Sequence, residues 1–394
     1  MSRHSQATGF DIRRAAAQRL QLVLTGAPFV PFQAREIEDS RDRALANKLV
    51  TVALRRHGQI SQILSSVLEK GMPKRAGLFE AALRIGVAQL LFLPEMGEHA
   101  AIHLAVEVIK KDRRAGRFAK LANAALRNVQ RGFSVDDLDP KDLVPDWVFQ
   151  RWANHYGAET AIAMAKALLA AVPLDLTGRP GNDQSAVFDE MGATHLVGTS
   201  YRLDDRDVPV EELPGFAEGK WWVQDVSASL PARLFGPGGG RKALDLCAAP
   251  GGKTMQLAAQ GWQVTALDRA ESRLTRLSEN LARTGLSAEL VTADALEWAT
   301  DEQYDAILVD APCSATGIFR RHPDVLYRAS PRLIAESAEI QMAMLDRASR
   351  WLKPGGSLVY AVCSLEPEEG EAVAKDFLAG HPAFAIEPID AAPL

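Results

Sequence analysis

Apolar residues recur every three or four positions along the first third of the chain, a spacing that places side chains on one face of an α-helix. The pattern predicts helices within residues 43–67, 78–92, 99–110 and 118–129, with glycine and proline residues at the breaks. Amphipathic helices of this length are stable in water only when their apolar faces pack together. We therefore predict an all-helical bundle over residues 1–135.

The pattern changes after Arg241, where short apolar runs alternate with longer amphipathic segments. The short runs predict buried strands and the longer segments predict helices. This alternation is typical of a doubly wound, mostly parallel sheet, so we predict a Rossmann-like α/β domain over residues 238–394. In order, the predicted elements are strand 243–247, helix 252–260, strand 263–267, helix 270–284, strand 288–292, strand 305–310, helix 331–352 and strand 357–362.

The residues between these two regions have weaker patterns. Residues 136–144 are acidic, contain proline and lack periodicity, which is typical of a linker. Residues 145–237 predict a small α/β subdomain, because a helical pattern is followed by short β-branched and aromatic runs. The predicted helix contains residues 161–168, and the predicted strands are 174–176, 194–197 and 221–223.

Charge is divided unevenly along the chain. The net charge is −5, but residues 1–135 hold 22 Lys and Arg against 11 Asp and Glu, whereas residues 136–394 hold 23 against 39. A basic helical module suits a polyanionic partner, because phosphate contacts need a positive stripe. A solvated helix face has the same composition, so both interpretations stay open at this point. The densest basic cluster consists of Lys110, Lys111, Arg113, Arg114, Arg117 and Lys120.

The three cysteines each follow a short apolar run. Cys313 and Cys363 lie at predicted strand ends, and the carboxyl ends of parallel strands are where such sheets bind ligands. A thiolate is the usual nucleophile for an electron-poor carbon, although a buried cysteine is often only a small apolar side chain. The gaps of 66 and 50 residues between cysteines contain no paired metal-ligand spacing. We therefore predict no metal site and no disulfide, as expected in the reducing cytoplasm.

No membrane association is expected from the sequence. A membrane-spanning helix needs about 18 or more consecutive apolar residues. The most apolar candidate, residues 76–94, is interrupted by Glu80 and Arg84.

A glycine-rich turn and three acidic residues mark successive strand ends of the predicted sheet. Gly251 and Gly252 open a helix whose N-terminal N–H groups suit a ligand, although the spacing matches neither a dinucleotide fingerprint nor a phosphate loop. Asp268, Asp294 and Asp310 follow the next three strands, where carboxylates bind ribose hydroxyls or an adenine amino group. Each alone is also a good helix N-cap, but three in succession favour a ligand site.

These motifs resemble the signatures of the S-adenosylmethionine-dependent RNA cytosine-5 methyltransferases. The helical module is similar to the antitermination factor NusB, and the combination is identified as a member of the ribosomal RNA small subunit methyltransferase B family. The resemblance covers nearly the whole chain and is weakest over residues 174–220. It rests on residues 247–253, 310–324 and 359–364 in the α/β region, and on residues 42–46, 83–91 and 121–129 in the helical module.

The resemblance implies an enzyme that methylates C5 of a cytosine in 16S ribosomal RNA, with S-adenosylmethionine as methyl donor. It implies that Cys363 is the nucleophile and that Cys313 assists proton removal or product release, with Asp310 and Lys253 as further catalytic groups. Cytosine C5 becomes reactive only after a thiolate adds at C6, and the base must be unpaired or flipped out. Residues 1–135 and 145–237 would then bind RNA, and residues 238–394 would form the catalytic domain.

The same resemblance implies two binding surfaces. The RNA contacts would be Lys110, Lys111, Arg113, Arg114 and Arg117. The cofactor site would comprise Cys247, Ala248, Ala249, Pro250, Gly251, Gly252, Lys253, Asp268, Asp294 and Asp310.

Two alternative functions stay open, namely the same reaction on transfer RNA and a non-catalytic RNA-binding or antitermination protein. A DNA cytosine methyltransferase is less favoured, because it would use Cys313 as the nucleophile. The chain departs from the family pattern at Ala315, where glycine is usual, at Val362, where threonine is usual, and over residues 174–179, which lack an Arg-x-Asn motif. Family members usually continue into an Asp-Gly-Phe-Phe strand that completes the sheet, so we expect a chain ending at Leu394 to be truncated.

Overall fold

The computed structural model describes residues 8–180, 185–204 and 208–389. Contacts among its residues divide the chain into two units. The first unit consists of Met1–Ala170 and Ile318–Ala329, and the second consists of Ala171–Gly317 and Ser330–Leu394. The helical module and the parallel sheet therefore belong to different units.

The first unit is a helical bundle, as predicted. Its helices are α1 (Gly9–Leu24), α2 (Ser40–Arg55), α3 (His57–Val67), α4 (Phe79–Phe92), α5 (Glu98–Lys111), α6 (Ala119–Gly132), α7 (Asp146–Tyr156) and α8 (Ala158–Ala167). Helix α4 is apolar on most of its circumference and is surrounded by α1, α2, α5 and α6. A helix of this kind is stable only when other helices cover all its faces. Gly86 permits the close approach of α5, because a Cβ there would lie 2.9 Å from Ala105 Cβ.

The bundle differs from the predicted one at two places. The segment 43–67 forms two helices, α2 and α3, with a break at Arg56, two residues before Gly58. Helix α1 was not predicted, although its buried Ile12, Ala16 and Leu20 follow the helical spacing and Thr8 caps its N-terminus. The many Arg and Gln residues of α1 obscure its apolar face.

The predicted linker, residues 136–144, packs against the bundle. Its Leu143 and Val144 are buried, and Gln59 of α3 donates a hydrogen bond of 3.1 Å to the Asp139 carbonyl. Gly58 permits this contact, because a Cβ there would lie 2.1 Å from the Asp142 carbonyl oxygen. Helices α7 and α8, which we expected in a subdomain over residues 145–237, also belong to the first unit.

The segment Ile318–Ala329 leaves the second unit after Gly317 and belongs to the first. The Tyr327 hydroxyl donates to the Leu143 carbonyl at 3.0 Å, and the buried Asp324 carboxylate accepts the Phe29 N–H at 3.2 Å. The Phe319 ring packs against the Trp152 ring with centroids 5.4 Å apart. These contacts join residues that lie far apart in sequence, so no local pattern predicts them.

A small antiparallel sheet opens the second unit. Its strand order is β2-β3-β1-β4, with β1 Leu174–Gly178, β2 Thr194–Val197, β3 Ser200–Leu203 and β4 Trp221–Val223. Helix α9 (Ser185–Glu190) stacks Phe188 on Tyr201 of β3, with ring centroids 3.7 Å apart, and helix α10 (Val226–Arg233) follows β4. The three predicted strands are confirmed, and β3 is an additional one.

The second sheet of this unit is parallel throughout and has the order β7-β6-β5-β8-β9. The order reverses between β5 and β8, which is the point where doubly wound sheets bind ligands. The predicted fold class is confirmed, and β9 begins earlier than predicted. The strands are β5 Lys242–Leu246, β6 Gln263–Asp268, β7 Glu289–Thr292, β8 Tyr304–Asp310 and β9 Leu352–Ala361. The helices that accompany this sheet are α11 Gly252–Ala259, α12 Glu271–Thr284, α14 Pro331–Trp351 and α15 Glu371–Gly380, whereas α13 (Val325–Arg328) belongs to the first unit.

Among the described residues, every helix is too short or too polar to span a bilayer.

Candidate active site

The glycine-rich turn connects the end of β5 to the start of α11. Cys247 and Gly251 both have positive φ values, of +63° and +106°, so the chain reverses direction sharply. A replacement of Gly251 would strain the backbone at this φ and displace the Leu277 side chain, because a Cβ there would lie 2.0 Å from Leu277 Cδ1. The first N–H groups of α11 have no partner within the helix and create a positive end suited to a polar ligand. The turn formed by residues 247–253 is therefore a concave site for a ligand, at the point where the strand order reverses. We call this site the cradle.

A buried carboxylate lies beneath this turn. Asp245 of β5 is fully buried, and Thr254 Oγ1 donates to its Oδ2 at 2.6 Å. Burial raises the pKa of Asp245 to about 7. Burial also raises the pKa of the Cys247 thiol to about 12, so this cysteine is a poor source of thiolate.

Asp268 lies at the end of β6 and supports the same turn. Its carboxylate accepts the Ala249 N–H at 3.2 Å and the Ala270 N–H at 3.0 Å. Arg273 Nη1 of α12 lies 3.2 Å from its Oδ2. The side chain is only 1% exposed, so these three contacts hold it in place beside the cradle.

The other two predicted strand-end carboxylates are more accessible. Asp294 follows β7, is exposed, and accepts the Leu296 N–H at 2.8 Å. Asp310 ends β8, and Lys253 Nζ of α11 lies 2.7 Å from its Oδ2. This ion pair joins the glycine-rich turn to the cysteine motif that follows β8.

Cys313 and Cys363 lie side by side, as the strand-end interpretation predicts. Their Sγ atoms are 3.4 Å apart, although 50 residues separate them in sequence. Cys363 is exposed and Cys313 is half-buried. The hydrogen bond with the Cys313 thiol lowers the pKa of Cys363 and outweighs burial and the charge of Asp310, which raise it, and the positive charge of Lys253 makes a smaller contribution in the lowering direction. The same hydrogen bond and burial raise the pKa of Cys313. The pair therefore offers one thiolate nucleophile with a protonated thiol beside it.

A polar network that the sequence did not indicate supports this pair. Ser314 and Ser364, the residues directly after the two cysteines, both donate to the carboxylate of Glu369. The Leu365 N–H donates to Thr316 Oγ1 at 3.0 Å, and the Gly317 N–H donates to the Cys363 carbonyl at 2.9 Å. The repeated Cys-Ser dipeptide was the available signal, but its common partner cannot be identified without the fold.

One departure from the family pattern has a conformational cost. Ala315 has a φ of +58°, in the left-handed region that glycine adopts readily. An alanine there costs roughly 1 kcal/mol relative to glycine. The second departure, Val362, packs with the cluster of apolar residues at the end of β9.

Only some residues of the predicted basic cluster line the same surface. In the first unit, a cavity of about 1140 Å³ is lined by Arg113, Arg114 and Arg117, together with Arg75. These four side chains are exposed. Lys111 instead pairs with Glu107 at 2.9 Å. The arginines thus form a concave positive surface that the sequence pattern alone did not outline.

A doubly wound parallel sheet with this glycine-rich first turn and these strand-end carboxylates has the arrangement of a Rossmann-like nucleotide-binding domain. Family models identify the class as an S-adenosylmethionine-dependent methyltransferase with a NusB-like helical module. A model for 16S rRNA methyltransferase RsmB/F matches residues 232–393, and a NusB family model matches residues 11–131.

Relatives give the same result, and a solved structure shares the fold. The Klebsiella pneumoniae protein named ribosomal RNA small subunit methyltransferase B is 34% identical, over 94% of this chain and 90% of its own. The protein of the same name from Vibrio cholerae has the same identity and coverage. The crystal structure of PH0851 shares the fold, with a TM-score of 0.79, 21% identity, and coverage of 96% of this chain and 92% of that one. The chain belongs to the RsmB/F family of 16S rRNA methyltransferases.

Proposed function

We propose that the chain transfers a methyl group from S-adenosylmethionine to C5 of a cytosine in 16S ribosomal RNA, through a covalent bond between Cys363 and C6 of the base. The observation that carries the proposal is the cysteine pair, whose Sγ atoms lie 3.4 Å apart. The exposed Cys363 has the lowered pKa that a nucleophile needs. The family relationship supports ribosomal RNA as the substrate, since relatives with 34% identity over most of the chain carry that name.

The residues present fit the methyl donor. We assign the nucleoside to the turn formed by residues 247–253 and to Asp268, Asp294 and Asp310. Gly251 has no side chain to extend into the turn, and its φ of +106° is a conformation that other residues rarely adopt. When bound there, S-adenosylmethionine supplies an electrophilic methyl group. Carboxylates at strand ends bind ribose hydroxyls through paired hydrogen bonds, and this is the role we assign to Asp268.

Cys363 performs the step that makes C5 reactive. Its thiolate forms a bond to C6, and the electrons of the C5–C6 double bond move towards C5 and the ring. As negative charge builds on the ring near N3, the ammonium of Lys253 stabilises it, and the Asp310 carboxylate, whose Oδ2 lies 2.7 Å from Lys253 Nζ, holds that ammonium in place. C5 is then nucleophilic enough to accept a methyl group.

Cys313 completes the reaction. After C5 carries both a methyl group and a hydrogen, the Cys313 thiol first releases its own proton to solvent, since Cys363 is now bonded to C6 and no longer shares that proton. The Cys313 thiolate then accepts the proton from C5. The electrons of the C5–H bond restore the C5–C6 double bond, and the bond from Cys363 to C6 breaks. Cys363 leaves as a thiolate beside the protonated Cys313, which is the starting state of the pair.

A methylation assay on two RNAs tests the proposed substrate and position. We expect the purified chain with S-adenosylmethionine to produce 5-methylcytidine in unmodified 16S rRNA, approaching one per molecule, and to leave unmodified transfer RNA unchanged. Bisulfite sequencing locates the protected cytosine, and nucleoside mass spectrometry identifies the product. Methylation of transfer RNA alone would overturn the ribosomal substrate, and a methylated base other than 5-methylcytidine would overturn the proposed chemistry.

The arginine cavity is the proposed contact for the RNA backbone. Replacing Arg113, Arg114 and Arg117 with Gln should weaken binding to 16S rRNA and flatten its salt dependence. Each lost phosphate contact removes about 0.7–0.9 from the slope of log affinity against log salt, so three lost contacts should remove roughly two. Filter binding at several salt concentrations measures this slope.

A matched triple variant controls for net charge. Arg127, Arg131 and Lys166 are exposed residues of the same unit that do not line the cavity. Replacing them with Gln removes the same charge and should leave the slope within about 0.5 of the original. Equal slopes for the two triple variants would identify the cavity arginines as a solvated surface.

A further inference from the structure

Glu369 is a buried carboxylate between the two cysteine motifs. It is fully buried, and its Oε1 accepts the Ser314 N–H at 2.7 Å. Its Oε2 accepts the Ser364 hydroxyl at 2.6 Å and also the Ser314 hydroxyl. Gln341 of α14 donates to Oε1 at 3.4 Å. One side chain therefore contacts the residue directly after each of the two cysteines.

The chemistry of this pocket requires a carboxylate. Removing an ionised carboxylate from water costs several kcal/mol unless hydrogen bonds replace its hydration. Around Glu369 the neighbours that face the carboxylate are donors: two hydroxyls, a backbone N–H and a side-chain amide. Charge-assisted hydrogen bonds of this kind are short and directional, so they fix the positions of the groups that donate them.

The hydrogen-bond network around Glu369 is also attached to strand β9 of the parallel sheet. The Tyr360 hydroxyl of β9 hydrogen-bonds the Gln341 side-chain oxygen at 2.8 Å and also contacts the Glu369 carbonyl. Gln341 in turn donates to the Pro312 carbonyl at 2.9 Å, directly before Cys313. Strand β9 and helix α14 thus hold Glu369 in place, and the Glu369 carboxylate in turn restrains both cysteine turns.

We propose that Glu369 is a positioning residue, which sets the separation and orientation of Cys363 and Cys313 so that both thiols reach the same base. The inference rests on the proposed function, in which one thiol attacks C6 and the other removes the C5 proton. Displacement of a reacting group by about 1 Å lowers a rate by roughly 100-fold. Ser364 positions the attacking thiol in this arrangement, and Ser314 positions the thiol that acts as base.

The Glu369→Gln variant tests the inference directly. It keeps the size of the side chain but replaces one acceptor oxygen with an amide NH2 group. That group cannot accept the hydrogen bonds that Glu369 receives, either from the Ser314 N–H and Gln341 at Oε1 or from the two serine hydroxyls at Oε2. We expect kcat for RNA methylation to fall about 100-fold, with KM for RNA and the Kd for S-adenosylmethionine within about twofold of the original values. Glu366→Gln is the control, since Glu366 is a second buried glutamate of the same turn, and its kcat should stay within about threefold.

The two serines give a readout that a purely structural role would not produce. Ser364→Ala should slow the attack and so reduce the amount of covalent protein–RNA complex. Ser314→Ala should slow proton removal and so increase that amount. These variants retain Glu369, so they test the inference even where Glu369→Gln fails to fold.

Equal changes in both serine variants, or an unchanged kcat in Glu369→Gln, would overturn the positioning role. Failure of the proposed function would look different. In that case the wild-type chain would produce no 5-methylcytidine, or Cys363→Ala would remain active.

Discussion

The Cys363→Ala variant is expected to lose RNA methylation by about three orders of magnitude or more, and to form no covalent complex with RNA. The physical reason is that C5 of cytosine is unreactive until a thiolate adds at C6. No other cysteine can replace this thiolate, because burial raises the pKa of Cys247 to about 12, and burial still raises the pKa of Cys313 when Cys363 is removed. Transfer of a labelled methyl group into 16S rRNA measures the loss.

This variant needs a control for folding, since Cys363 also lies in a hydrogen-bonded turn. Calorimetric binding of S-adenosylmethionine and the thermal unfolding midpoint should both match those of the wild-type chain. Methylation above about 10% of the wild-type rate in a folded Cys363→Ala protein would exclude Cys363 as the nucleophile.

The Cys313→Ala variant is expected to behave in the opposite way. Attack by Cys363 and methylation of C5 proceed, but the C5 proton then has no base to accept it, so the bond to C6 persists. We expect turnover to stop after one cycle and a complex that resists denaturation to accumulate on a gel. The double variant Cys313→Ala with Cys363→Ala should form no complex, which shows that the trapped bond depends on Cys363.

The reverse pattern would exchange the two roles. A complex trapped by Cys363→Ala and absent in Cys313→Ala would make Cys313 the nucleophile, as in DNA cytosine methyltransferases. The structure favours the first assignment, since the exposed thiol is the one whose pKa is lowered.

The parallel sheet was predictable because its signal is local. Each strand from β5 to β9 is a short apolar run, and the acidic or cysteine residue that matters follows the run directly. In a parallel sheet all strand ends lie on one edge, so the proximity of Cys313 and Cys363 follows from the fold class. Their separation of 3.4 Å and the difference between their pKa values depend on side-chain contacts and required the structure.

Contacts between distant segments were not predictable. Glu369 follows Cys363 by six residues, but its partner Ser314 lies 55 residues away and no periodicity links them. The same holds for Tyr327, which contacts the Leu143 carbonyl 184 residues earlier, so the assignment of Ile318–Ala329 to the helical unit could not be anticipated. Arg75 was missed as a cavity residue because it lies outside the dense basic cluster in sequence.

The most direct test of the account identifies the cysteine that bonds to the base. Wild-type protein is incubated with S-adenosylmethionine and 16S rRNA that carries 5-fluorocytidine, in which fluorine replaces the C5 hydrogen and release is blocked. The trapped complex is digested, and the modified peptide is sequenced by mass spectrometry. We expect the nucleotide to be attached to the peptide that contains Cys363. Attachment to the Cys313 peptide would contradict the proposed mechanism. So would the absence of a trapped complex when unsubstituted 16S rRNA is methylated.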